Sequence, residues 1–194
     1  MPTTLQDTTT EMLSVTQAVY QDIIDTDGEP QCRFTIFREG EPMVSVGTTI
    51  VNDDHERDFT RALVKLARAC RADGLVLAIT TAFLAGDDIN GVHPNDNPAA
   101  SSGVLISCLG GTYCYSSMLP FGMHDDGSVC VRDLIPGVIL EKRGIPDILV
   151  TMVKALDTVT PGKPNTAKAE RAIHEIEAVT ERYRKIWEKQ PGIC

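Results

Sequence analysis

The residues best suited to chemistry fall in two polar segments. GDDINGVHPNDNPAASSG, over residues 86–103, supplies Asp87, Asp88, His93 and Asp96, and HDDG, over 124–127, supplies His124, Asp125 and Asp126. Carboxylates and imidazoles are good ligands for several divalent metals. If both segments met at one end of a sheet, His93, Asp96, His124 and Asp125 would be the set to hold such an ion. The chain would then be a metal-dependent hydrolase or a small-ligand-binding enzyme built on the 86–102 loop and the 122–127 turn. The same residue types are also the ones turns prefer, and Asp126-Gly127 is explained as a hairpin turn. Neither HExxH nor an EF-hand register occurs. The expectation is therefore a polar loop, with no cofactor and no catalytic residue assigned.

The GVHPNDNPAASSGV stretch partly resembles the JAB/MPN metalloprotease signature, with His93-Pro94 and Ser101 at matching positions. Gly91 stands where that signature has its first histidine, and Val104 where it has its aspartate. A catalytic zinc needs three protein ligands beside an open position, so the resemblance carries no activity with it. Gly110-Gly111 sits in LGGTYCYSS, without GxGxxG, GxxxxGK[ST] or a following helix pattern, and reads as a hairpin turn. Cys108, Cys114 and Cys130 fall in strand-like runs where cysteine packs as a small hydrophobe. Ser116 and Ser117 lack a GxSxG elbow, and a Cys114–His93 pair has no support in spacing. Arg33, Arg38 and Arg132 could line a pocket for a small anion beside a sheet.

These residues must be carried by elements that the sequence outlines. Thr8 and Glu11 have capping-box spacing, and Met12, Val15, Val19 and Ile23 come next at helical intervals, which predicts a helix over 9–26. Two β-rich runs, 32–37 and 43–51, flank a Gly-containing turn and predict a hairpin. Asp53 and Glu56 have the spacing of a cap for a second helix ending near 72, with His55 on the surface of its first turn. LVLAITTAFLA reads as a central strand buried on both faces. Beyond the polar loop, turn dipeptides at 110–111 and 126–127 divide the chain into three strands near 103–109, 112–120 and 128–134. DILVTMVKAL predicts a third helix. TPGKPNT is the best linker, and Ala169, Ile173, Ile176, Val179, Tyr183 and Trp187 stripe a terminal helix behind it.

Strands that succeed one another as hairpins, rather than alternating with helices, define an α+β class. The expectation is a mostly antiparallel sheet: an N-terminal hairpin, a central apolar strand and a C-terminal three-strand meander, flanked by helices. Residues 1–160 would form one domain, 161–165 a linker, and 166–190 a helix docked on the domain or on a partner. Ile173, Ile176, Tyr183 and Trp187 are the candidate interface of that helix.

The net charge of −9, from 27 acids against 18 Lys and Arg, argues against nucleic acid and anionic membranes as partners. Aromatic residues are only 5% of the chain, too few for a base-stacking platform. No signal-peptide pattern or membrane-length apolar run is visible, and six scattered cysteines without a CxxC suit reduced thiols in the cytoplasm. With no complete catalytic constellation, the leading expectation is a non-catalytic binding or assembly protein that self-associates as a homo-oligomer.

Overall fold

The computed structural model describes residues 5–25, 32–83, 101–110, 113–124, 127–139, 147–160 and 162–188. Seven strands form a sheet in the order β2-β1-β3-β4-β5-β6, with β7 also pairing β5, and every pairing is antiparallel. The strands are β1 (Cys32–Arg38), β2 (Glu41–Thr48), β3 (Gly74–Phe83), β4 (Ser101–Gly110), β5 (Tyr113–Met123), β6 (Val129–Val131) and β7 (Ile135–Ile139). The helices are α1 (Leu5–Asp25), α2 (Asp53–Cys70), α3 (Asp147–Asp157) and α4 (Thr166–Glu188). This is the expected α+β architecture.

Alternation along the strands divides the interior in two. Phe34, Ile36, Leu75, Leu77, Leu109 and Cys114 face α2, α3 and α4. Phe37, Val76, Ala78, Val104, Ile106, Cys108 and Leu119 face Met12 and Tyr20 of α1. The apolar run of β3 is thus explained by burial on both sides in the middle of the sheet.

Several local expectations need correction. α1 already includes Leu5, so Thr8 lies inside it rather than capping it. Among the described residues its buried side chains are Thr9, Met12, Thr16 and Tyr20, while Val15, Val19 and Ile23 are only half-buried. Thr16 and Tyr20 are tolerated there because Thr16 Oγ1 donates to the Met12 carbonyl within the helix, and Tyr20 Oη donates to the Ala78 carbonyl of β3. The cap of α2 is Asn52, whose Oδ1 accepts from the His55 amide, and Asp53, Asp54 and Glu56 occupy the first turn. Residues 135–139 contain Pro136 and Gly137 yet form an edge strand, where a missing amide donor is tolerated. A Cβ on Gly137 would lie 1.9 Å from the Ser116 carbonyl oxygen, so glycine allows β7 to close on β5.

α2 ends in a Schellman motif: the Ala72 amide donates to the Ala67 carbonyl and the Arg71 amide to the Arg68 carbonyl. The left-handed residue is Arg71, at φ 56° and ψ 44°, where glycine is usual. Gly74, two residues past the end expected for that helix, is the first residue of β3. α4 runs antiparallel along α2: Ala69 meets Asn165, Lys65 meets Glu175, and Asp58 meets Tyr183.

Candidate functional site

The residues proposed for metal binding are not brought together among the described residues. His93 and Asp96 lie outside the described residues, as do Asp125 and Asp126. His124 is exposed, and its amide donates to Ser128 while its carbonyl accepts from Gly127, which closes a turn. Among the described residues no group of three or more His, Cys, Asp or Glu is placed to hold a metal. Burial pushes the Cys108 thiol up to about 12, with Cys114 nearby adding to the rise, and Cys114 is raised for the same first reason. Both stay protonated at neutral pH, which leaves them poor nucleophiles.

Of the interface candidates, Ile176 and Tyr183 are buried and Ile173 half-buried against the chain's own core. The Trp187 side chain lies outside the described residues. Nor do the three arginines weighed for an anion pocket converge. Arg33 reaches Ser45 on β2, Arg38 pairs with Glu39, and Arg132 lies over Gly122.

A cationic cavity forms instead where the end of α2 meets the start of α4. It measures about 390 Å³ and is lined by Lys65, Arg68 and Arg71 from the first segment and Lys168, Arg171 and Glu175 from the second. Ala69 and Ala172 make its small-residue floor. Glu175, the one carboxylate, is taken by Lys65 at 2.6 and 2.8 Å. Among the described residues, Arg68, Arg71, Lys168 and Arg171 have no ion-pair partner. Arg68 reaches only the Thr158 hydroxyl at 3.3 Å, and Arg71 Nη1 the Thr160 hydroxyl at 2.6 Å. Arg71 Nε is buried without a hydrogen-bond partner among the described residues. In a chain of net charge −9, five cations facing one carboxylate is a local inversion of the field.

Two of these cations occupy positions that local preference disfavours. Arg71 holds a left-handed conformation, in which a side chain costs roughly 1 kcal/mol relative to glycine. Lys168 stands in the first turn of α4, which contains no acid, although a helix N-terminus favours negative charge. Its amide is satisfied by Asn165 Oδ1 at 3.0 Å, so its charge is not explained by that helix end, whereas the charge of Arg71 suits the C-terminal end of α2 and only its backbone conformation goes against preference. Sequence reasoning missed them because it treated α2 and α4 as separate amphipathic helices. The signal was present in the i, i+3 spacing of Lys65, Arg68 and Arg71, and in the acid-free opening of α4.

The other end of the same helix pair is built differently. His55, expected on the surface, is 1% exposed. Its ring stacks on Tyr183 at 4.6 Å and 8°, and Tyr183 Oη donates to Asp58 Oδ2 at 3.1 Å. Asp58 is also approached by Arg61 and Arg182, at 3.5 and 3.6 Å. His55 Nδ1 accepts from the Val51 amide, which places the proton of the neutral ring on Nε2. Burial pushes His55 below its usual value, and Asp58 opposes that shift. This cluster locks α4 to α2, with Arg61 and Arg182 both drawn to Asp58.

No protein-family model, no curated protein and no solved structure matches this chain. Among the described residues no helix is long and apolar enough to cross a membrane.

Proposed function

We propose that this protein is a binding protein for a small anion, held in the cavity between the end of α2 and the start of α4. The observation that carries this reading is the convergence of Arg71 and Lys168, each placed against local preference, on one cavity with Arg68 and Arg171. Departures from local rules concentrate where function requires them. The cysteines among the described residues are free thiols, which suits a reducing compartment such as the cytoplasm. Adding small multivalent anions at low ionic strength should raise the melting temperature of the wild-type chain, because a ligand that binds only the folded state stabilises it. Arg171→Glu, at an exposed position, should remove that rise. An equal rise in both proteins would place the anion elsewhere and overturn the reading.

Self-association is a second reading, favoured by one feature of the sheet. β2 pairs only with β1 among the described residues, and its residues 42–48 carry no charge. Edge strands are usually protected by charge, and antiparallel pairing of two copies about a two-fold axis is self-complementary. Sedimentation should show a dimer that Ser45→Lys converts to monomer. A monomeric wild-type chain would remove this reading.

A further inference from the structure

Resting on the anion-binding reading above, we propose that the ligand is a compact molecule bearing adjacent phosphate groups, recognised through those groups and not through a base. The first argument is charge. With Lys65 and Glu175 paired to each other, Arg68, Arg71, Lys168 and Arg171 remain to be neutralised. A single carboxylate would leave most of that repulsion in place, whereas two linked phosphates answer it in one small volume.

The second argument is donor geometry. Three of the four free cations are guanidinium groups, whose planar fork matches phosphate oxygens in pairs. Arg71 is additionally fixed by its contact with Thr160. It also lines a neighbouring cavity with Arg38, Glu39 and Asp73. Of the acids there, Glu39 pairs with Arg38, and Asp73 accepts from the Glu39 amide. Thr160 lines that neighbouring cavity as well, so Arg71 stands on the wall between the two cavities.

The third argument is size and lining. About 390 Å³ lies at the lower end of small-molecule sites, which span roughly 300–1,000 Å³. Among the described residues no aromatic side chain lines it, so they offer no stacking surface for a base or a nucleic-acid strand. Along α2 toward Asp54 and Asp58, Arg57 pairs with Asp54, and Arg61 and Arg182 share Asp58. Among the described residues, the cations of this helix pair without an ion-pair partner thus lie at one end of it rather than along a track for a long polyanion.

The test is isothermal titration calorimetry on the full chain at low ionic strength with pyrophosphate, inorganic phosphate, citrate and a single-stranded oligothymidine. Pyrophosphate is expected to bind at one site, at least tenfold more tightly than phosphate or the similarly charged citrate. Arg171→Glu and Arg71→Gly should each weaken it at least tenfold while circular dichroism shows the fold retained. Citrate binding as tightly as pyrophosphate would overturn the phosphate assignment and leave the anion-binding reading standing. Oligothymidine binding more tightly than pyrophosphate would overturn the compact ligand. Absence of heat with every anion would overturn both. Binding that survives both substitutions would show a different site and overturn both as well.

Discussion

Arg71 sets ligand binding against backbone comfort. Its left-handed conformation would be relaxed by glycine, whereas its guanidinium would be lost from the cavity. Arg71→Gly is therefore expected to change unfolding free energy by less than about 1 kcal/mol, because relief of strain offsets the lost Thr160 contact and the added chain entropy. The same change should cost anion affinity at least tenfold. Urea unfolding and calorimetry on one preparation check both halves. His55 makes a separate prediction from its buried, neutral ring. Its folded value lies below the unfolded value of about 6.5, so the unfolded chain takes up the proton first as pH falls. The stabilisation is complete above that value and is lost progressively as pH drops below it toward the folded value. Urea midpoints measured between about pH 7 and pH 5 should fall more steeply for the wild-type chain than for His55→Phe. Parallel curves would show that the ring protonates equally easily in both states.

The helices and strands were largely readable because their signals are local. The apolar stripe of α2, the continuous β3 and the hairpin punctuation each arise from residue spacing alone. Their ends were less readable, because several residues compete for one capping role. Asn52 and Asp53 both suit the start of α2, and the structure uses Asn52. Asn52→Ala should therefore lower stability by about 1 kcal/mol, which for a chain of this size is roughly 2–4 °C in melting temperature. Asp53→Ala, removing only a first-turn charge, should cost less. Differential scanning calorimetry distinguishes the two. The buried Thr16 of α1 escaped a reading based on apolar periodicity because its hydroxyl group is satisfied inside the helix. His55 escaped for a tertiary reason: its burial depends on Tyr183 from a helix more than a hundred residues away.

In the whole molecule, α4 completes the core and supplies half of the cavity. Ala172, Ile176, Val179 and Tyr183 are buried in the cluster shared with α2 and α3. Removing residues 163–194 should thus expose that cluster and abolish cooperative unfolding as monitored by circular dichroism. A truncated chain that still melts sharply would contradict this packing. The charge inversion at the cavity could not be read from the sequence, because net charge reports only the average field. Arg68 and Arg171 are distant in the chain and become neighbours only once α4 lies antiparallel on α2.

The location of the anion is tested most directly by amide chemical-shift mapping of the isotope-labelled chain during titration with pyrophosphate. The largest shifts are expected at residues 68–72 and 165–172, on the two sides of the cavity. Shifts confined to the 86–102 segment and the neighbourhood of His124, or no shifts at all, would contradict the assignment of this site.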